Sequence, residues 1–155
     1  MNHLFCIDLH KTYGYSSKGK EINKLIRHKH NKQRYTLLVA INNKQIINYK
    51  IFNGSVNSNK YLEFIKENNS KFKNKILIQD NARIHHAKIV KEYALKENIL
   101  LKFNPAYSPE FNPIELLFNK CKIELCKLDH SNLINDIEFV LQTITSNDCQ
   151  QFYKC

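Results

Sequence analysis

The longest uninterrupted apolar run in this sequence is Leu37 to Ile41, far short of the roughly 20 residues a helix needs to cross a bilayer. The first residues, MNHLFCIDLHK, set an aspartate in their midst and hold no long apolar stretch, so no signal peptide is read there. There is also no CxxC pair. The five cysteines, Cys6, Cys121, Cys126, Cys149 and Cys155, are an odd set and do not make the disulfide framework of a small secreted domain. They are expected as reduced thiols, mostly small core residues, in a cytoplasmic protein (nucleoid-associated in a bacterium) or a nuclear one. Three glycines and three prolines supply no flexible linker, and no internal repeat is visible. The 155 residues therefore read as a single domain, 1–155, long enough to bury a core. Acids are few: 14 Asp and Glu stand against 24 Lys and Arg, a net charge of +10. Such a surplus favours a polyanionic partner, because each neutralised phosphate releases condensed counterions. On charge alone a Lys-rich solvated face explains it equally well, and Arg27, Arg34 and Arg83 are the only arginines.

What is present is an alternation of periods. Leu4 to Ile7 is a short apolar run that stops at Asp8 and reads as a buried strand. Residues 9–33 are polar and basic, with Gly14 and Gly19 as turn formers. Arg34 to Ile41 and Gln45 to Phe52 are β-rich runs joined by Asn42-Asn43-Lys44, which makes an antiparallel hairpin. Tyr61, Leu62, Phe64 and Ile65 then recur at helical spacing, with Ser58 as N-cap and an end near Asn68. Ile76 to Ile78 is a strand that stops at Gln79-Asp80; Ile89, Val90, Tyr93 and Ala94 define a helix, and Ile99 to Leu101 another strand. Pro105, Pro109 and Pro113 mark an irregular loop. Ile114, Leu117, Phe118, Cys121 and Leu125 follow on one helical face, and Leu133 to Ile144 builds a final helix with Ser131 as N-cap. Three leading strands with a hairpin, then alternating helices and strands, then helices, is the element order of a ribonuclease H-like α/β fold. Its mixed five-stranded sheet is flanked by helices. The first and fourth strands would lie side by side and parallel, with Asp8 and Asp80 at the C-terminal ends where open α/β sheets bind ligands.

Three acids stand out by position. Asp8 and Asp80 each follow an apolar strand, and Glu115 ends the segment FNPAYSPEFNPIE. Carboxylates held at the edge of a core suit hard divalent ions such as Mg²⁺, which take oxygen ligands and keep water and phosphate in their other positions. Two such ions can activate the attacking oxygen and stabilise the leaving one in phosphoryl transfer. Each acid also has a plainer reading. An aspartate after a strand is commonly the start of a loop. Asn112, Pro113 and Glu115 make a capping-box arrangement, and by local logic alone capping is preferred for Glu115. His85 and His86 are a metal pair or surface histidines, with periodicity favouring the surface. Cys121, Cys126 and His130 have poor spacing for structural zinc.

The segments QDNARIHHAK and FNPAYSPEFNPIE resemble the second and third catalytic blocks of DDE transposases of the mariner-like superfamily, including its bacterial insertion-sequence branch. The 34 residues between Asp80 and Glu115 match the spacing typical of that family, and His85 matches a histidine often found in the second block. Asp8, followed by Tyr13-Gly14-Tyr15-Ser16-Ser17-Lys18-Gly19-Lys20, fits the slot of the first catalytic aspartate. The likeness extends over essentially the whole chain, including the stretch from Ile144 to Cys155. It implies a DNA transposase catalytic domain with Asp8, Asp80 and Glu115 as both catalytic residues and metal ligands. Two Mg²⁺ ions (or Mn²⁺) are the implied cofactors: Asp8 bridges them, Asp80 completes one site and Glu115 the other. Water would cut a DNA phosphodiester, and the 3′-hydroxyl left behind would attack target DNA. Lys18, Lys20, Arg83, His85 and Lys88 are the expected nucleic-acid contacts, better backed as a group than singly. Two departures are mild: Leu9 stands where an acid is common, and Phe118 where Trp is common. A third is larger. Family transposases carry N-terminal helix-turn-helix modules, whereas this sequence starts at the first catalytic strand. The expectation is a truncated or split copy, homodimeric when active, with DNA as partner, end recognition supplied by a separate DNA-binding subunit, and no membrane association. Another ribonuclease H-like nuclease and a non-catalytic nucleic-acid-binding remnant stay open beside it.

Overall fold

The computed structural model describes residues 2–8 (backbone alone), 35–105, 112–128 and 132–154. Five strands form one sheet: β1 (Asn2–Asp8), β2 (Tyr35–Ile41), β3 (Ile46–Asn53), β4 (Ile76–Gln79) and β5 (Leu100–Phe103), in the order β3-β2-β1-β4-β5. β1 and β2 are antiparallel, as are β2 and β3, while β1–β4 and β4–β5 are parallel. The helices are α1 (Ser58–Glu67), α2 (Asn69–Phe72), α3 (Lys88–Lys96), α4 (Pro113–Leu125), α5 (Leu133–Thr143) and α6 (Ser146–Phe152). This is the ribonuclease H-like architecture that the element order implied.

The continuous apolar run of β2 follows from its place in the sheet. A strand covered on both faces has no polar side to alternate with, and Leu37 to Ile41 are all buried. Leu37, Val39 and Ile41 pack with Ile114, Leu117, Phe118, Cys121 and Leu125 of α4, and with Ile137, Val140 and Leu141 of α5. Leu38 and Ala40 point the other way, into a core with Tyr61, Phe64 and Ile65 of α1, Phe72 of α2, and Val90 and Ala94 of α3. The molecule is thus three-layered, α/β/α, with a separate core on each side of the sheet. At about 1.5–3 kcal/mol per large apolar side chain removed from water, both cores contribute heavily to stability. No helix among the described residues is long and apolar enough to cross a membrane.

Several boundaries differ from the sequence expectation, for local reasons. Asn57, not Ser58, caps α1 and accepts from the Lys60 N–H; Asn132, not Ser131, caps α5 and accepts from Ile134 and Asn135. Asn and Ser are near-equal caps, so the phase of each helix is set by which residues it buries. Ile89 is 39% exposed because the buried stripe of α3 is Val90 and Ala94, one turn apart. The last apolar stretch is broken: Ile144 is extended, and a separate α6 starts behind a capping box between Thr145 and Asp148. The short α2 was not anticipated. In the hairpin turn Asn42 Oδ1 accepts from the Lys44 and Gln45 N–H groups, each at 2.9 Å, the local bond that makes Asn a turn former. Asn74 and Asn98 adopt positive φ of 59° and 55° just before β4 and β5, a conformation Asn tolerates better than most side chains.

Candidate active site

β1 and β4 are neighbours and parallel, so the chain delivers Asp8 and Asp80 to the same edge of the sheet. Leu4 is level with Gln79. Continuing that register, Phe5 is level with Asp80 and Asp8 lies three residues further along, about 10 Å of strand. β4 itself ends at Gln79, so the path of Asp80 beyond it is set by its own turn rather than by the ladder. Asp8 is paired with Thr36 of β2; its side chain lies outside the described residues. The third acid arrives on α4, which packs against β1 and carries Glu115 in its first turn.

Asp80 sits in a built environment. Its Oδ1 accepts from the Ala82 N–H at 2.9 Å and lies 2.8 Å from His85 Nδ1. Burial works to raise the Asp80 carboxyl, but the His85 ring and the Ala82 N–H together outweigh it, and its pKa falls below the usual carboxylate value. Asp80 is accordingly charged at neutral pH while 42% of its side chain remains exposed. The second oxygen, Oδ2, has no partner among the described residues. His85 has no exposed surface. Its ring lies 4.4 Å from that of Tyr61, and the Tyr61 hydroxyl donates to Gln79 Oε1. The neighbouring loop is tied across to β5. Asn81 Nδ2 donates to the Asn104 carbonyl at 2.6 Å, His86 Nε2 approaches Asn81 Oδ1 at 3.2 Å, and the His86 ring stacks on Phe103 at 4.1 Å. Gln79 Nε2, His85 Nε2 and Asn104 Nδ2 are buried without a partner among the described residues.

At α4 the capping arrangement is only half formed. Asn112 accepts from the Ile114 N–H at 3.3 Å, and the Glu115 N–H bonds the Asn112 carbonyl at 3.0 Å. The reciprocal bond from a third-position carboxylate is present at α6, where Asp148 accepts from Thr145. Among the described residues no such bond engages the Glu115 carboxylate. The cap is therefore Asn112 alone, and the half-buried Glu115 carboxylate is not consumed by it.

The remaining expected site residues separate into three groups. Lys18 and Lys20 lie outside the described residues, as does His130. Arg83 is exposed, and Lys88 is 87% exposed, with a 3.7 Å pairing to Glu92 among the described residues, an interaction worth little at a surface. His85 is a correction: expected among the nucleic-acid contacts, and otherwise as a surface histidine, it is fully buried and cannot reach a DNA backbone from there. Among the described residues, which do not include the Asp8 side chain, no three His, Cys, Asp or Glu side chains cluster as a metal site. Cys121 and Cys149 are buried, as expected of core thiols, and Cys126 is exposed. Burial pushes the Cys121 thiol up to about 12, so it is inert. Tyr61, Gln79 and Asn104 were missed. Tyr61 had only the signature of a core helix position, and nothing local tied it to Asp80.

A family model described as DDE superfamily endonuclease matches residues 4–138. The chain belongs to this DDE family. In fold it matches the catalytic domain of Mos1 mariner transposase, with a TM-score of 0.75 at 15% identity, over 98% of this chain and 74% of that one. The Mos1 mariner paired end complex with Mn gives a TM-score of 0.76 at 16% identity, over 98% of this chain and 51% of that one. Mos1 transposase catalytic domain with raltegravir and Mg gives 0.76 at 15% identity, over 98% and 75%. This DDE chain thus spans about half the length of the Mos1 chain in the paired end complex. No curated protein matches it.

Proposed function

We propose that this chain is the catalytic domain of a DNA transposase, cutting DNA and joining the cut end to target DNA with Asp8, Asp80 and Glu115 as its working carboxylates. The observation that carries the reading is topological. Asp8 ends one of two adjacent parallel strands, Asp80 directly follows the last residue of the other, and the helix bearing Glu115 packs against the first strand. The donor set fits a hard divalent cation: carboxylate oxygens, one of them charged and holding an oxygen without a partner among the described residues, are the ligands Mg²⁺ prefers. Solved Mos1 structures hold Mn and Mg, which supports the same choice here.

When bound, a pair of Mg²⁺ or Mn²⁺ ions supplies Lewis-acid stabilisation of the attacking and leaving oxygens of a phosphodiester. Asp8, Asp80 and Glu115 hold the negative charge that retains such ions, and the Ala82 N–H and His85 keep Asp80 ionised and oriented. Exposed Arg83 and Lys88, with Lys18 and Lys20, contact the DNA backbone. A Mos1 transposase has been solved as a paired-end complex with the left transposon end, which supports transposon DNA as the partner. The working form is a homodimer. The test is cleavage of radiolabelled DNA duplex and of an RNA–DNA hybrid, each with Mg²⁺ and with chelator. Mg²⁺-dependent nicking of DNA is expected. A preference for the hybrid would instead make the chain a ribonuclease H-type nuclease, and binding without cleavage a non-catalytic remnant.

A further inference from the structure

The histidine expected on the surface is the one fully buried against Asp80, and this burial has a chemical use. His85 Nδ1 faces two acceptors of the same residue, Asp80 Oδ1 at 2.8 Å and the Asp80 carbonyl at 3.3 Å, so Nδ1 carries the proton. A single ring N–H thus clamps the side chain of Asp80 to its own backbone. The ring cannot swing away: the Tyr61 ring covers it at 4.4 Å, Tyr61 is itself fully buried, and the Tyr61 hydroxyl is anchored to Gln79. Gln79 is the last residue of β4 and Asp80 follows it, so the chain of contacts starts and ends on the same strand terminus.

We propose that His85 is a positioning residue for metal capture, locking the rotamer of Asp80 through Oδ1 and leaving Oδ2 as the oxygen offered to a divalent cation. This rests on the reading of Asp80 as a metal ligand. Outer partners of this kind fix a ligand's orientation, and losing one typically costs 10–100-fold in metal affinity or activity. The role belongs to the hydrogen bond, not to ring volume, and that separates it from a purely structural role. Asn carries an amide donor near the Nδ1 position, Gln carries one nearer Nε2, and Leu keeps apolar bulk with no donor.

The experiment titrates Mn²⁺ alone into the 155-residue chain by calorimetry and repeats this for His85→Asn, His85→Gln, His85→Leu and Asp80→Asn, with melting temperatures recorded for each. His85→Asn is expected to hold Mn²⁺ affinity within about threefold, while His85→Gln and His85→Leu lose about tenfold or more. Should His85→Leu fail to fold, the comparison of Asn with Gln at matched melting temperature decides. In metal-free protein, the slowly exchanging imidazole proton of His85 is expected on Nδ1 by nitrogen NMR. Equal affinity for the Asn and Gln variants, or a proton on Nε2, overturns the proposal. If Asp80→Asn leaves Mn²⁺ binding intact, the assignment of Asp80 as ligand has failed instead. If Asp80→Asn abolishes binding and His85→Leu, folded, does not, only the positioning role has failed.

Discussion

Asn112→Ala probes how the third acid is held. The substitution removes the acceptor of the Ile114 N–H at a site only 5% exposed. Losing an N-cap costs about 0.5–2 kcal/mol. The 3.3 Å bond is longer than the usual N–H···O of about 2.9–3.0 Å, which argues for the low end. Burial argues for the high end, because an N–H orphaned away from water costs about 1–3 kcal/mol. Burial should win, giving about 1.5 kcal/mol. In a domain of this size about 1 kcal/mol lowers Tm by roughly 2–4 °C, so a fall of about 3–6 °C is expected in calorimetry. If the loss is spent on fraying the first turn of α4, about 1.5 kcal/mol raises the frayed population roughly tenfold. Glu115 is the third residue of that turn, so Mg²⁺-dependent DNA cleavage should fall more than global stability alone explains. Asn112→Ser, which restores a capping oxygen, should recover both. Equal Tm and equal cleavage for the Ala and Ser variants would refute the reasoning, since Glu115 would then owe nothing to the cap.

Two further outcomes are expected. The Lys120 ammonium, 2.6 Å from Asp148, together with the Thr145 cap, pulls the Asp148 carboxyl down to about 2. Its folded pKa is depressed, so its stabilisation is fully present above the unfolded value near 4 and is lost as pH falls towards 2. Screening at a surface holds its size to about 1 kcal/mol or less. Asp148→Asn should therefore be less stable than wild type at neutral pH, and urea titrations should show the difference shrinking between pH 4 and pH 2; a difference that does not change with pH would contradict the ion pair. Arg83→Ala and Lys88→Ala should each weaken DNA binding regardless of sequence and reduce the slope of log K against log salt by about 1; an unchanged slope removes that residue from the backbone contacts.

The parts of the fold legible in sequence were those written by a period. The α4 stripe of Ile114, Leu117, Phe118, Cys121 and Leu125 is buried throughout, and the apolar runs before Asp8 and Asp80 form adjacent parallel strands. What was not legible depends on partners distant in the chain. No local feature of the His85-His86 pair says that one ring lies under Tyr61 and the other against Phe103; the placement of α1 and of β5 beside the β4 end decides that. Ile89 looked like a core residue because any apolar residue beside Val90 fits a helical stripe, and only the burial of Val90 and Ala94 leaves it on the outer side. Glu115 fitted a capping box by residue type. Its carboxylate is left out of the cap, a choice between rotamers that spacing cannot encode.

The most direct measurement is Mg²⁺-dependent cleavage of a DNA duplex by Asp8→Asn, Asp80→Asn and Glu115→Gln, each shown to melt like the wild-type chain. Neutralising any one carboxylate is expected to reduce cleavage beyond the roughly 100-fold that the loss of an outer partner costs. Undiminished cleavage by any one of the three folded variants would contradict a shared three-carboxylate site.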